Sequence, residues 1–366
     1  MQQQDARYIS SLYGGFWSFD IKDFCYMTNP YFPPEEFIDS LGLRLRELVK
    51  SYPSTNWYLS SLAAKPLGVT HEELVIANGA SELIDVIMDR FVKHLAVPIP
   101  TFDEFINRAV SQGKPVSTYQ LEGDFELDVD GFLLHVNDSG ANAALLINPN
   151  NPTGTAISQE HLWHLLESLR HLDLVVVDES FIDFVRSVPA PSVMSRLQDF
   201  PNMIILKSLS KTYGIPGIRL GYAMSSNRDR IAELRSHLPI WGINSLAQYF
   251  LENIGEYQRQ FDESCEQVRQ AAQFLYAGLQ GISYLHPYPT QGNFVLSRLV
   301  NEFTATELTT RLFEEFKILI NDCSRKKGLD GSFVRMASRT VEENAQLIQA
   351  LQALDATISM EEQSHR

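Results

Sequence analysis

Residues 208–222 are Ser208-Leu209-Ser210-Lys211-Thr212-Tyr213-Gly214-Ile215-Pro216-Gly217-Ile218-Arg219-Leu220-Gly221-Tyr222. Lys211 stands eight residues before Arg219, and Ser208 and Ser210 lie close to it in the chain. A lysine amine can form a Schiff base with an aldehyde cofactor, while hydroxyls and a guanidinium can hold a phosphate of that cofactor. The stretch therefore predicts Lys211 as a catalytic residue, with Ser208 and Arg219 as phosphate ligands.

Two earlier stretches place polar groups at the ends of apolar runs. The first apolar run, residues 143–147, is followed by Asn148-Pro149-Asn150-Asn151-Pro152-Thr153-Gly154. The second, residues 172–177, leads into Val177-Asp178-Glu179-Ser180-Phe181-Ile182-Asp183-Phe184. A third apolar run, residues 203–206, leads to Lys211. In an open parallel sheet the ligand crevice lies at the carboxyl ends of the strands. We therefore expect Asn151, Asp178 and Lys211 to converge on one ligand.

A fourth segment predicts a phosphate cup. Residues 74–77 are apolar, and Asn78-Gly79-Ala80-Ser81-Glu82 then opens a periodic apolar helix. The N-terminus of a helix binds phosphate through unpaired backbone N–H groups and the helix dipole. We predict Gly79, Ala80 and Ser81 as phosphate ligands, although the motif alone fits an ordinary strand-to-helix turn equally well.

Taken in this order, these stretches resemble the fold-type I enzymes that use pyridoxal 5'-phosphate (PLP), the superfamily of the class I and II aminotransferases. The resemblance implies that Asp178 keeps the ring nitrogen protonated and that Asn151 donates to the ring's phenolate oxygen. It also implies that Phe102, in Pro100-Thr101-Phe102-Asp103-Glu104-Phe105, stacks on the ring. A buried core aromatic is the alternative for Phe102.

The expected fold is α/β, the PLP-dependent transferase fold type I. Alternating strand and helix signals predict a large domain, residues 62–256, whose mostly parallel central sheet is flanked by helices. Residues 257–366 are expected to form a smaller α+β domain. Residues 1–61 are expected to contribute to that small domain and to a dimer interface.

The resemblance also implies substrate and partner contacts. Arg335 falls where these enzymes carry an arginine for the substrate carboxylate, a planar group that a guanidinium binds with two parallel hydrogen bonds. Tyr13, Asn29, Asn151 and Asn321 are further substrate-binding candidates. Tyr52, in Ser51-Tyr52-Pro53, matches a tyrosine that reaches the cofactor phosphate of a neighbouring subunit, so a homodimer with shared active sites is expected.

Two groups of the superfamily compete for this sequence, threonine-phosphate decarboxylase and histidinol-phosphate aminotransferase. Phe181 favours the decarboxylase, because the aminotransferases usually carry a tyrosine there that bonds the phenolate oxygen. Asn321 and Tyr13 depart from both groups, which commonly carry a basic residue and a histidine at these positions. We therefore predict a decarboxylase of an O-phosphorylated or otherwise acidic L-amino acid, such as phosphothreonine or phosphoserine.

The aminotransferase is the alternative for this chain. In either reaction the substrate amine displaces Lys211, and the bond at the α-carbon that lies perpendicular to the ring plane breaks. A PLP-binding regulator without catalysis is a remote further alternative, because such regulators carry a basic DNA-binding head and this chain is acidic.

Charge and cysteine content limit the partners and the compartment. The 366 residues carry a formal net charge of -15, which disfavours nucleic acid and anionic membranes as partners. Three widely spaced cysteines suggest neither a disulfide framework nor a zinc site, and His161, His164 and His171 fit an amphipathic helix better than a metal site. Residues 1–5 do not resemble a signal peptide, and no apolar run is long enough to span a membrane, so a cytoplasmic enzyme without a metal is expected.

Overall fold

The computed structural model describes residues 6–187, 189–300 and 303–364. The opening residues 1–5, which the sequence analysis considered for targeting, lie outside these ranges. Residues 16–18, 65–67, 182–184, 194–199 and 254–257 form short 3-10 helices.

The chain alternates between strands and helices through most of its length. The strands are β1 Lys22–Phe24, β2 Leu74–Asn78, β3 Leu95–Ile99, β4 Val116–Gln120, β5 Ala143–Ile147, β6 Leu174–Asp178, β7 Met203–Ser208, β8 Leu220–Met224, β9 Leu285–Pro287, β10 Phe294–Leu299, β11 Ile318–Asp322 and β12 Phe333–Ala337. The α-helices are α1 Ala6–Ser11, α2 Glu35–Leu48, α3 Asn56–Ala64, α4 Ala80–Phe91, α5 Glu104–Ser111, α6 Val129–Ser139, α7 Gln159–Ser168, α8 Leu209–Thr212, α9 Arg228–Ser236, α10 Ser245–Asn253, α11 Gln258–Leu279, α12 Ala305–Phe316 and α13 Val341–Ser364.

The large lobe is built around a seven-stranded sheet in the order β2-β8-β7-β6-β5-β3-β4. Its pairings from β7 through β6, β5 and β3 to β4 are parallel, whereas β8 is antiparallel to both β7 and β2. Strands β5 and β6 are apolar and buried on both faces, because helices cover each side of the sheet. The parallel strands therefore end at one edge, where the polar loops of the candidate site begin.

The small lobe is built around a five-stranded sheet in the order β1-β11-β12-β10-β9. The N-terminal strand β1 pairs in parallel with β11, so this early segment of the chain belongs to the small sheet. Helices α11 and α13 pack on the sheet through an apolar cluster that includes Leu275, Leu347 and Leu351. Within this sheet β12 brings Arg335 opposite Asn321 of β11.

The predicted fold class is confirmed, since a mostly parallel sheet flanked by helices accompanies a smaller α+β lobe. The antiparallel strand β8 makes the large sheet mixed. The domain boundaries at residues 61 and 256 stay a prediction. Within the described residues no helix combines the length and the apolar character needed to cross a membrane.

Candidate active site

Lys211 lies in the short helix α8, directly after the carboxyl end of β7. Its carbonyl accepts a 2.8 Å hydrogen bond from the backbone N–H of Asn29, which ties the N-terminal segment to this turn. Burial lowers the pKa of its amine to about 8, and the nearby charges of Arg335 and Arg219 act in the same direction. A neutral, nucleophilic amine is therefore accessible near neutral pH.

Asp178 is the last residue of β6, the strand beside β7. Its side chain is buried, and Oδ1 accepts a 2.9 Å hydrogen bond from the backbone N–H of Ser180. Burial raises the pKa of the carboxyl, while the bond to Ser180 and the charge of Lys211 oppose that rise. Among the described side chains none forms an ion pair with Asp178, so the carboxylate fits a cationic ligand group such as a protonated ring nitrogen.

The side chain of Arg335, on β12 of the small lobe, reaches the loop that follows β5 in the large lobe. Its Nη1 donates a 2.7 Å hydrogen bond to Oδ1 of Asn151, and its Nη2 donates a 2.9 Å bond to the carbonyl of Cys25. The guanidinium is buried and lies 5.8 Å from the centre of the Phe294 ring. Its Nε has no hydrogen-bond partner in the part of the chain that the structure describes. A buried guanidinium with an unused N–H fits an incoming carboxylate.

The bond to Arg335 also orients the amide of Asn151. Since Oδ1 accepts from Arg335, the amide nitrogen is left to donate to a ligand oxygen. Such a donor fits the phenolate oxygen of PLP, as the sequence predicts for this residue.

The segment that carries Phe102 is held by the neighbouring Asn150. Asn150 donates a 2.9 Å hydrogen bond from Nδ2 to the carbonyl of Pro100 and accepts a 3.0 Å bond at Oδ1 from Thr101 Oγ1. The ring of Phe102 is 39% exposed and meets Phe105 edge-on at 6.4 Å between ring centres. It is therefore not a buried core aromatic, the alternative weighed from the sequence, and stacking on the cofactor stays a prediction.

Arg219 faces the start of α4 and forms a cradle with it. Gly79 has a φ of 78°, and a Cβ there would lie 2.4 Å from Nη2 of Arg219. A Cβ on Gly221 would likewise lie 2.4 Å from the backbone nitrogen of Ala80. Nη1 of Arg219 donates to Ser210 Oγ at 3.4 Å. Backbone N–H groups at the start of a 12-residue helix and a guanidinium therefore face the same space, which fits the phosphate of PLP.

Two predicted serine ligands lie beside this cradle. Ser81 is exposed in the first turn of α4. Ser208 ends β7, and its backbone N–H donates a 2.9 Å hydrogen bond to Ser180 Oγ. The phosphate contacts of both hydroxyls stay predictions.

Asn29 supports the site through the backbone. Its Nδ2 donates at 2.9 Å to the carbonyl of Thr212 and at 2.8 Å to Ser264 Oγ, and its Oδ1 accepts from the N–H of Tyr31. These bonds fix the turn that carries Lys211. Substrate binding by Asn29 stays a prediction, although both of its amide hydrogens are already used.

The other candidates are less enclosed. Tyr13 is 91% exposed with a φ of 51°. Tyr52 is 77% exposed and stacks on Trp241 at 4.4 Å between ring centres. Asn321 lies beside Arg335 in register, and its Oδ1 is 3.4 Å from the thiol sulfur of Cys323. Substrate or partner-cofactor contacts of these three residues therefore stay predictions.

The sequence analysis did not identify Asp23 as part of the site. Its Oδ1 accepts hydrogen bonds of 2.7 Å and 3.3 Å from the N–H groups of Cys25 and Tyr26. Burial raises the pKa of its carboxyl, while the charges of Arg339 and Arg335 lower it. An acidic residue in the short run Lys22-Asp23-Phe24 carries no signal that separates it from a surface residue, so only the structure shows its position near Arg335.

Phe181 packs against Phe294, and Phe294 packs against Arg335. The two rings meet edge-on at 5.2 Å between centres, and both are buried. Phe294 in turn lies under the guanidinium of Arg335. The residue that lacks a hydroxyl for the phenolate oxygen therefore supports the arginine by packing.

The histidines of α7 are not gathered into a metal site. Across the described ranges no group of three His, Cys, Asp or Glu side chains is placed to hold a metal ion. His164 lies 3.5 Å from the exposed carboxylate of Asp130 on the surface.

Comparison with known proteins gives a family match. The family of class I and II aminotransferases matches residues 37–351. CMP-5'-(3-aminopropyl)phosphonate synthase of Streptomyces rubellomurinus is 36% identical over 351 residues, which cover 95% of this chain and 55% of that protein. This chain thus spans little more than half the length of that relative.

Two further matches extend over nearly the whole of both chains. An L-serine phosphate decarboxylase of Campylobacter jejuni is 34% identical over 346 residues, or 90% of this chain and 87% of that protein. The solved structure of a decarboxylase from Sulfurospirillum multivorans has a TM-score of 0.83 at 30% identity, and covers 96% of this chain and 99% of that one.

Proposed function

This chain belongs to the class I and II aminotransferase family, and from that premise we propose that it decarboxylates an O-phosphorylated L-amino acid such as phosphoserine or phosphothreonine. It is an enzyme with PLP as its cofactor. Two observations support the substrate class. The relative from Campylobacter jejuni, an L-serine phosphate decarboxylase by name, aligns with 90% of this chain, and the site holds a fixed cation for a carboxylate.

The position of Arg335 is the structural observation that carries the proposal. Hydrogen bonds to Asn151 and to the Cys25 carbonyl hold the guanidinium in place, and its Nε–H remains for a ligand oxygen. An arginine held in this way binds a carboxylate in one orientation, because the planar fork presents its N–H groups in fixed directions. The orientation of the carboxylate at the α-carbon decides whether carbon dioxide or a proton leaves.

The residues of the chain have distinct roles in this reaction. PLP supplies an electron sink while its ring nitrogen is protonated, and the buried carboxylate of Asp178 would pair with that nitrogen and keep it protonated. When carbon dioxide leaves, the electron pair of the broken bond stays with the α-carbon. Lys211 can then deliver a proton to that carbon, so the product is the amine with hydrogen in place of the carboxylate. With a pKa lowered to about 8, Lys211 can both release and regain a proton near neutral pH.

The side-chain phosphate needs a cation, which Asn321 does not supply. Arg339 is the cation that we assign to it, because its charge, like that of Arg335, acts on Asp23 and lowers the pKa of that carboxyl. Its only ion pair within the described ranges is a 3.4 Å contact with Glu343 at the start of α13. A phosphate oxygen would accept a stronger hydrogen bond from this guanidinium than the Glu343 carboxylate does at 3.4 Å.

Transamination is the alternative, because the family includes aminotransferases as well as decarboxylases. The two reactions are separated by incubating the PLP-loaded protein with O-phospho-L-serine or O-phospho-L-threonine, with and without 2-oxoglutarate, and identifying products by NMR. We expect the phosphorylated amine to form without the keto acid. Glutamate that forms only when 2-oxoglutarate is present would identify an aminotransferase.

A homodimer with shared active sites is part of this proposal. Exposed apolar side chains support it, among them Val49, three residues before Tyr52, and Ile240, next to the Trp241 that stacks on Tyr52. If Tyr52 contacts the cofactor of the neighbouring subunit, the Lys211→Ala and Tyr52→Ala homodimers are both impaired. Mixing them forms heterodimers in which one site has Lys211 from one subunit and Tyr52 from the other, so that site is intact. Recovery of activity on mixing, together with a dimer mass by light scattering, is the expected result. A monomeric active enzyme would contradict it.

We also propose a cytoplasmic location for the protein. Its three cysteines, Cys25, Cys265 and Cys323, are free and buried. Unpaired thiols fit a reducing compartment.

A further inference from the structure

Lys326 joins the small lobe to the segment that carries Phe102. Its Nζ donates a 2.6 Å hydrogen bond to Oδ2 of Asp103 and a 2.9 Å bond to the carbonyl of Thr101. The side chain of Lys326 is 11% exposed and that of Asp103 is 35% exposed, so the ammonium end of the ion pair is largely shielded from solvent. Asp103 and Thr101 flank Phe102 directly in the chain. The two contacts therefore hold both sides of the residue expected to stack on the cofactor.

The loop of Lys326 connects the two strands that line the substrate side of the site. It runs from β11, which carries Asn321, to β12, which carries Arg335. Turn bonds from Lys326 N–H to the Cys323 carbonyl and from Leu329 N–H to the Lys326 carbonyl make the loop compact. A movement of this strand pair would therefore be transmitted to the Lys326 ammonium.

A close backbone approach supports the same contact. Gly328 has a φ of 86°, and a Cβ there would lie 3.0 Å from the backbone nitrogen of Pro100. Its carbonyl accepts a 3.2 Å hydrogen bond from Gln120 Nε2 at the end of β4. The loop thus lies against the backbone of the large lobe at the residue that begins the Phe102 segment.

We propose that Lys326 is a positioning residue that anchors residues 100–103 to the strand pair of Arg335 and thereby fixes Phe102 against the cofactor ring. The other anchor of the segment is Asn150, which lies next to Asn151 in the chain and bonds the Pro100 carbonyl and Thr101 Oγ1. The proposal rests on the proposed function for the role of Phe102, but its test measures cofactor packing rather than product.

A direct contact with the substrate phosphate is the competing role for Lys326. Two of the three ammonium hydrogens are already donated within the protein, and Asp103 balances the positive charge. A cation that is paired in this way attracts an additional anion weakly. The contacts therefore favour positioning over substrate binding.

The test compares Lys326→Met, which keeps the length of the side chain and removes its charge, with Lys326→Arg, which retains a cation. Lys327→Met is the matched control, because Lys327 is the exposed next residue of the same loop. Two properties of the PLP-bound proteins are measured, the PLP dissociation constant by equilibrium dialysis and the visible circular dichroism of bound PLP. Steady-state kinetics with O-phospho-L-serine then separate kcat from KM.

For Lys326→Met we expect a PLP dissociation constant raised by about tenfold or more, a weaker dichroic band and a lower kcat with little change in KM. Lys326→Arg should recover most of the PLP affinity and of the dichroic band. Lys327→Met should match the wild type. If Lys326→Met does not fold, Asp103→Asn removes the same ion pair with almost unchanged shape, and the same losses are expected.

Two results would overturn the proposal. Unchanged PLP affinity and dichroism in Lys326→Met, with a raised KM alone, would make Lys326 a substrate ligand. Wild-type values of all four quantities would leave it without a functional role. A wild-type protein that binds PLP normally but forms no amine contradicts the proposed function instead, and leaves the dichroism comparison valid.

Discussion

Nη1 of Arg335 donates a 2.7 Å hydrogen bond to Oδ1 of Asn151, and this bond joins the small sheet to the edge of the large one. The two residues are 184 positions apart in the chain. In the proposed reaction this bond fixes the guanidinium for the substrate carboxylate and leaves the amide nitrogen of Asn151 to donate to the cofactor. One contact between the lobes would thus align the substrate and the cofactor.

Arg335→Lys should raise KM for the amino-acid substrate by about a hundredfold and weaken PLP binding much less, because Lys211 and the phosphate cradle still hold the cofactor. A lysine has one donor centre and cannot hold Asn151, the Cys25 carbonyl and a carboxylate together. Arg298→Lys is the matched control, because Arg298 lies on the neighbouring strand β10 and is exposed. Steady-state kinetics and the absorbance of bound PLP check this. Lost PLP binding with an unchanged KM would contradict the assignment.

Asp178→Asn should lower kcat by about a hundredfold or more, whereas Phe181→Tyr should change it by less than about tenfold. Only the first change removes the charge that keeps the ring nitrogen protonated. The second adds a hydroxyl beside Phe294, where it disturbs the packing beneath Arg335. Turnover with saturating PLP measures both. Similar losses in the two variants would refute this ranking.

Gly79→Ala should weaken PLP binding by displacing Arg219. A methyl group at Gly79 would lie 2.4 Å from Nη2 of that arginine. Gly68→Ala is a matched control, because Gly68 has a similar φ of 69° with nothing within 4 Å of a Cβ. Gly68→Ala should lose about 1 kcal/mol of stability, because Gly68 has left-handed helical backbone angles. Gly79→Ala should lose more, because its φ of 78° and ψ of 160° lie in a region that is nearly restricted to glycine. Only Gly79→Ala should lose PLP affinity. Equal PLP affinities would contradict the cradle.

Lys211→Met should abolish turnover and stabilise the apoprotein by about 1 kcal/mol at neutral pH. The amine has a pKa of about 8 in the folded chain against 10.5 in the unfolded one. The unfolded chain therefore binds more protons between these values, and wild-type stability should rise with pH across that window. The variant should lack this contribution. Urea unfolding of the apoproteins from pH 7 to pH 10 measures it, and multiple turnovers by the variant would refute the role of Lys211.

Glu179→Gln should flatten the acid side of the stability profile. Burial raises the pKa of the Glu179 carboxyl from 4.5 to about 7, although it accepts hydrogen bonds from Val193 N–H and Ser192 Oγ. Because the folded state favours the protonated form, this residue's contribution is lost as pH rises from about 4.5 to about 7. The variant should lose less stability across that interval, as measured by urea unfolding. Parallel profiles of the two proteins would contradict this.

The sequence by itself determined the strands whose carboxyl ends carry the predicted site residues. The runs that became β5, β6 and β7 are apolar because both faces of a parallel sheet are covered, and this pattern is visible in a short window of sequence. The polar residues that follow them, Asn151 and Lys211, and the aspartate that ends β6 could therefore be predicted along with the fold class. Arg219 and the turn at Gly79 were predicted from the same kind of local pattern.

Only the tertiary structure decided how the lobes meet. The orientation of the Asn151 amide, the ion pair of Lys326 with Asp103 and the position of Asp23 near Arg335 depend on contacts between residues far apart in the chain. A periodic pattern reports which face of a strand or helix is buried, but it carries no information about which distant side chain lies opposite. Those pairings follow from sheet register and lobe packing, which arise only when the whole chain folds.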